Sequence, residues 1–170
     1  MGEASVRRAA AADSVAIAEI QLQVWAAGFA EVLPAELLQA DPAELAQNWS
    51  AMISLGHEQV LLAAENEHIV GFVHAGGRDG AIHILYVRPA WARRGHGGRL
   101  FAAAGAQLAA AGAEEGHWWV PETDVATTNF VRSVGWHSHG EARVLDTGAA
   151  HLREVHWAGE LTQLLGPVHG

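Results

Sequence analysis

The chain has no cysteine in its 170 residues. That excludes disulfide scaffolds, thiolate metal sites and cysteine nucleophiles. It has no lysine either, since all ten basic residues are arginine. A Walker-type phosphate loop and Schiff-base chemistry both require lysine, so both are excluded. No apolar run approaches the ~20 residues of a membrane-spanning helix. Residues 9–12 are too short for a signal-peptide core, and Val6 stands where a myristoylation signal needs Ser or Thr. A cytoplasmic location is expected. Positive charge is scarce, at 10 Arg against 19 Asp+Glu and a net charge of -9. Neither nucleic acid nor an anionic membrane is an expected partner.

What remains is globular composition, 50% hydrophobic and 17% charged, which excludes intrinsic disorder. The length suits a single domain over 1–170. No repeat or linker interrupts it, and a loosely held tail is expected from about residue 160 to 170.

Residues 4–10 read as a strand. Asp13 offers an N-cap to a helix carrying Ile17, Ile20, Val24 and Ala27 at helical spacing. Asp41-Pro42-x-Glu44 starts another helix, with a cap, a first-turn proline and an acidic third position. Strand-like runs at 59–64, 69–75 and 82–87, joined by short turns, predict an antiparallel meander. A glycine-rich turn at 92–98 leads into an alanine-rich helix over 98–112. A strand at 117–120, a helix at 124–133 stopped by Gly135, and strands at 136–145 and 151–158 complete the chain. The order is β-α-α-β-β-β-α-β-α-β-β, a mixed α/β (α+β) sheet with helices on both faces.

The most informative segment is Leu85-Tyr86-Val87-Arg88-Pro89-Ala90-Trp91-Ala92-Arg93-Arg94-Gly95-His96-Gly97-Gly98-Arg99-Leu100. A strand ends, Arg and Gly fill a turn, and a helix begins. First-turn amides of a helix lack internal partners and lie at the positive end of its dipole, and glycine lets a ligand approach the backbone. With Arg93, Arg94 and Arg99 nearby, the expected ligand is a phosphate or pyrophosphate. A dinucleotide fingerprint fails because Leu100 stands at its last glycine position. A tight strand-to-helix turn with no ligand is the plainer alternative.

The segment resembles motif A of the GNAT superfamily of acyl-CoA-dependent N-acetyltransferases. Trp119-Val120-Pro121-Glu122 resembles that family's fifth strand, and residues 124–136 its following helix with a terminal Gly135-Trp136 pair. Trp25, Phe29, Leu33 and Pro34 resemble the first-helix region of bacterial small-molecule acetyltransferases. The resemblance covers nearly the whole chain and implies a central, mostly antiparallel, splayed sheet flanked by helices. It implies acetyl-CoA as co-substrate, with the main chain of Leu85, Tyr86 and Val87 beside the pantetheine arm. Arg93, Arg94, Gly95, His96, Gly97 and Gly98 would hold the pyrophosphate, with Asp124 and Phe130 also at the cofactor. A gap near Leu85 and Trp119 would admit the thioester. Trp25, Phe29 and Trp119 would line the acceptor pocket.

The sequence departs from the family pattern at several points. Ala92 replaces the Gln or Arg that opens the glycine loop. Ala81 stands where many relatives carry a glutamate base, and Val131 where they carry a tyrosine acid. Asp124 replaces an asparagine. His83, two residues after Ala81 and so on the same strand face, is the replacement base, because imidazole titrates near pH 6.5. His74 is a second candidate. His117, Glu122 and Tyr86 are weaker ones; Tyr86, the only tyrosine, alternates away from His83 and reads as core. His96 is expected to face solvent or the phosphates. Trp49, Trp118 and Trp157 are assigned to the core. His137-x-His139-x-Glu141 places metal-ligand types on one strand face, but they run towards a turn, and no metal is expected.

Three readings follow. The first is an N-acetyltransferase acting on a primary amine of a small molecule. The second is an acyl-CoA-binding protein with little turnover, a sensor or a partner subunit. The third is a peptide or protein N-acetyltransferase. A homodimer is expected only by analogy with the family.

Overall fold

The computed structural model describes residues 2–161. Its strands are β1 (Ala4–Arg8), β2 (Gln59–Glu65), β3 (His68–Ala75), β4 (Ala81–Val87), β5 (Glu115–Pro121), β6 (Ala142–Asp146) and β7 (His151–Glu160). Its helices are α1 (Ser14–Gly28), α2 (Ala35–Leu38), α3 (Pro42–Leu55), α4 (His96–Ala110) and α5 (Val125–Ser133). The strands form one seven-stranded sheet in the order β1-β2-β3-β4-β5-β7-β6. Every neighbouring pair is antiparallel except β4 and β5, which run parallel. This is the mixed sheet expected from the sequence. Among the described residues no helix is long and apolar enough to cross a membrane.

Helices cover both faces, so the central strands are apolar at successive positions. Side chains alternate across a strand. Leu61, Val73 and Ile82 therefore pack beneath α4 and α5, with Leu100, Phe101, Leu108 and Val131. Leu62 and Phe72 pack on the other face against Ile17 and Ile20 of α1 and Trp49 of α3. Trp49, Trp118 and Trp157 are buried, as the sequence reading assigned them.

Local capping follows the sequence at α3 but not at α1. Asp41 Oδ1 accepts from the Ala43 amide at 3.0 Å, with Pro42 in the first turn. Asp13 does not cap α1. Its carboxylate turns back to accept from the Ala10 amide at 2.7 Å and from both Arg7 terminal nitrogens at 2.9 Å. Arg7 outcompetes the helix because a bidentate, charge-assisted pair is the stronger partner. The short α2 after Pro34 is unforeseen; four residues are too few to show a period.

Two irregularities position the site. β4 and β5 share only the pairs Ala81–His117 and Ile82–Trp118 before they diverge. In addition, β3 and β4 slip register where His74 faces Ile84 and Ala75 faces Ile82, leaving His83 as an extra residue. Such a bulge interrupts the alternation of side chains.

The strand expected over 136–145 begins only at Ala142. Gly140 sits at φ 83°, and His137 makes an isolated two-way bridge to Ala158 instead. Within the tail expected to be loose, Glu160 closes β7 and Leu161 is fully buried. Residues 162–170 lie outside the described part.

Candidate active site

Where β4 and β5 part, a cleft of about 470 Å³ opens between the first turns of α4 and α5. Leu85 and Val87 form its strand wall, and Arg93, Gly95, His96, Gly97 and Gly98 its floor, with Phe130 opposite. The edge of β4 at Leu85–Val87 has no partner on β5. Trp91, Ala92, Trp118, Ala126 and Thr127 complete the lining; sequence reasoning did not assign these to the site. The spacing of Ala126 and Thr127 from Phe130 along α5 was the available clue.

The glycine turn has a defined geometry. Arg93 and Gly95 both take positive φ, 64° and 84°, so the backbone turns sharply into α4. Arg99 is the first of that helix to find a backbone carbonyl, Gly95 O at 3.1 Å. The amides of the preceding His96, Gly97 and Gly98 belong to the turn that a helix cannot satisfy internally. A Cβ on Gly97 or Gly98 would meet no atom nearer than 3.8 Å. The chain's own packing therefore does not require glycine there; the bare backbone leaves open space facing the cleft.

The side chains of the turn behave differently from expectation. His96 is 1% exposed and does not face solvent. Its Nε2 meets Glu65 Oε2 at 2.9 Å, and Arg99 Nη2 donates to its Nδ1 at 3.1 Å. Guanidinium only donates, so Nδ1 accepts and the ring carries its hydrogen on Nε2, towards Glu65. Arg99 Nη2 also donates to the Arg94 carbonyl at 3.1 Å. Arg94 lies over Trp91 and 3.7 Å from Glu65. Arg94 and Arg99 thus brace the turn, while Arg93 lines the cleft.

Asp124 is placed outside this cleft. Oδ1 accepts from the Thr127 amide at 3.0 Å and Oδ2 from the Thr127 hydroxyl at 2.6 Å, the bonding of a helix N-cap. Glu122, a weaker catalytic candidate in the sequence, pairs with Arg153 at 3.0 Å. Val131 is fully buried, so α5 presents Ala126, Thr127 and Phe130 to the cleft instead.

A second cleft, of about 380 Å³, lies between the end of α1 and the start of α5. Val24, Gly28, Phe29 and Asp124 line it, and Ala126 lines both clefts. Trp25 Nε1 donates to the Tyr86 hydroxyl at 3.3 Å, and the Phe29 and Tyr86 rings lie 6.4 Å apart. Burial pushes the Tyr86 phenol above its ordinary value, so it stays neutral at pH 7. Having accepted from Trp25, it retains its own hydrogen to donate. Trp119 stands on β5, tilted against His156 at 5.0 Å and covered by Arg143 at 4.6 Å; of the three aromatics expected at the acceptor pocket only Phe29 lines this cleft, and Trp25 and Trp119 do not.

His83 and His74 meet. Their rings lie 4.8 Å apart, and Glu58 joins them: His74 Nε2 hydrogen-bonds Glu58 Oε2, and His83 Nε2 lies 3.6 Å from Oε1. His74 also packs edge-on against Trp49, at 5.5 Å. Since Trp49, Phe72 and Tyr86 share that cluster, His83 is on the Tyr86 side of the sheet, contrary to simple alternation. The bulge at His83 is the cause. Burial lowers the His74 pKa more than the Glu58 hydrogen bond raises it, so His74 is a neutral imidazole near pH 7.

The other histidines singled out in the sequence have different partners. His117 Nδ1 lies 3.1 Å from His156 Nε2. His137 and His139 pack together at 5.7 Å, while Glu141 turns to His156 at 3.7 Å. His137, His139 and Glu141 therefore do not converge, because the segment is not a strand.

Residues 30–153 match the family model described as the acetyltransferase (GNAT) domain. No curated protein matches the chain in sequence. Solved structures sharing the fold include an N-acetyltransferase of Staphylococcus aureus Mu50, with TM-score 0.78, 17% identity, and 94% of this chain and 99% of that one covered. The yncA product of Salmonella typhimurium, solved with its cofactor acetyl-CoA, superposes with TM-score 0.72 at 20% identity over 93% and 94% of the two chains. A phosphinothricin acetyltransferase of Sinorhizobium meliloti in complex with acetyl-CoA gives TM-score 0.72 at 18% identity over 92% and 88%.

Proposed function

The chain belongs to the GNAT acetyltransferase family, and on that premise we propose that it transfers an acetyl group from acetyl-CoA to a primary amine of a small molecule. The observation that carries this reading is the parting of β4 from β5 beside the open first turn of α4. The residues there fit the coenzyme. Free amides at His96, Gly97 and Gly98 and the Arg93 guanidinium suit a pyrophosphate. The unpaired edge of Leu85–Val87 suits an extended amide-bearing arm. When bound, acetyl-CoA supplies the thioester that the amine attacks directly.

The second cleft receives the acceptor. Its volume is within the range of small-molecule sites, and Val24 and Phe29 give it an apolar wall. Its position across Ala126 from the coenzyme cleft brings amine and thioester together, and such positioning is a large part of any transfer between two bound substrates. His83 takes the proton from the incoming ammonium, and Glu58 stabilises the charge the imidazole gains. Tyr86 supplies a neutral acid on the same face.

The reading is tested by titrating the chain calorimetrically with acetyl-CoA, CoA and ATP, then screening amines with wild type and His83→Gln. Selective acetyl-CoA binding, turnover on an amine, and turnover reduced ~10²–10⁴-fold in the variant with binding retained are the expected results. Binding without turnover on any amine would replace the enzyme by an acyl-CoA-binding protein.

A further inference from the structure

We propose that Glu58, His74 and His83 form a binding site for a divalent transition metal of the zinc class, and that its occupation stops acetyl transfer. The three side chains come from three separate places. Glu58 lies in the turn between α3 and β2, two residues after Gly56, which ends the helix at φ 70°. His74 lies near the end of β3, and His83 is the bulged residue of β4. One ligand atom from each lies within 4.8 Å of the others, and among the described residues this is the only group of three such side chains that closes up.

The donor set is two imidazoles and one carboxylate. Zinc accepts this combination with a fourth position left for water. Metal–ligand bonds of ~2.0–2.2 Å put tetrahedral donors ~3.3–3.6 Å apart, so side-chain rotations that draw the widest pair together by about an ångström close the set. Both histidines direct Nε2 at the same carboxylate. Trp49 holds the His74 ring against the sheet, which fixes one ligand. His83 and Glu58 are 39% and 36% exposed, which leaves an entry path. Half-buried and exposed members together give a half-open site of the kind that exchanges its metal.

The inhibitory consequence rests on the reading of His83 as the base. A neutral imidazole has a single free lone pair, and a metal that takes it leaves the ring none with which to accept the ammonium proton. Metal availability and transfer are thus coupled through one imidazole ring.

The test uses the full chain after chelator treatment. Zinc is titrated calorimetrically, and cobalt is titrated while its visible absorption reports a low-coordinate site. One equivalent is expected, weakened at least ~10-fold in Glu58→Gln and in His83→Gln, since even outer-shell changes cost that much. Both side chains are partly exposed, and thermal melting confirms folding of each variant. Bound zinc should raise the wild-type melting temperature and leave that of Glu58→Gln unchanged. The double variant His137→Gln/His139→Gln should bind as wild type does. No binding, binding undiminished in Glu58→Gln and His83→Gln, or binding lost only in the double variant would overturn the site. If zinc binds these residues and transfer continues, the assignment of His83 as base fails and the inhibition with it. If zinc does not bind while His83→Gln still slows transfer, the metal site alone fails.

Discussion

His96 and Glu65 meet at 2.9 Å beneath the glycine turn, joining the first turn of α4 to the end of β2. The ring is enclosed and its second nitrogen is taken by Arg99. The turn is therefore held from below by a polar network in place of an apolar plug. His96→Ala should cost ~1–3 kcal/mol of stability, because it takes the hydrogen-bond partner from a half-buried carboxylate and leaves it only Arg94 at 3.7 Å. It should also raise KM for acetyl-CoA while leaving KM for the amine unchanged. Thermal melts and two-substrate kinetics measure both effects; equal changes in the two KM values would contradict the positioning role.

Gly98→Ala should separate stability from function. The new methyl would sit 3.8 Å from Phe130, an ordinary contact. Replacing glycine in a helix with alanine stabilises by up to ~1 kcal/mol. The variant should melt no lower than wild type yet bind acetyl-CoA more weakly, since the methyl occupies the space above the free amides. Calorimetry and a melting curve on the same preparation decide it.

Gly159→Ala should act in the opposite way. A Cβ there would lie 2.1 Å from Trp136, and one at Gly116 2.6 Å from the same ring. Two strands leave side chains out so that the indole can lie flat on them. Overpacking of this kind typically costs ~1–3 kcal/mol, and here the obstacle is a rigid ring. Urea unfolding should show the loss, with acetyl-CoA affinity of the folded fraction retained.

The Arg7–Asp13 pair predicts an acid-sensitive contribution to stability. The hydrogen bond from Arg7 holds the Asp13 carboxyl below the usual carboxylate range. Its folded value is therefore lower than its unfolded one, near ~4. The contribution is present above that pH and disappears as pH falls through the folded value. Arg7 is half exposed, so Arg7→Gln should cost no more than ~1 kcal/mol at pH 7. The difference from wild type should shrink in urea titrations repeated towards pH 3.

The sheet and the coenzyme cleft were legible because they rest on local patterns. Strand-like runs joined by short turns located β2 to β4, Asp41-Pro42 located α3, and the Arg-Gly turn located the start of α4. The interior of the site was less legible because it depends on long-range competition. Nothing adjacent to His96 announces Glu65, thirty-one residues earlier, and nothing near Asp13 announces that Arg7 draws it away from its helix. The single extra residue at His83 decided most. Strict alternation separates His83 from Tyr86, whereas the bulge returns it to the face of His74 and Glu58. A bulge is set by the pairing of two strands, and one strand's sequence does not show it.

The two shared pairs between β4 and β5 also have a mechanical meaning. Four strands stand on one side of that junction and three on the other, so the sheet is two leaves fastened at one end. Gly80 lies at the fastening. Its carbonyl takes the His117 amide at 2.9 Å, and a Cβ on it would strike the Glu115 carbonyl at 2.0 Å. Beyond this point the leaves are free to change their angle without breaking a ladder. The width of the gap is thus set by helix packing on either face rather than by the strands that border it.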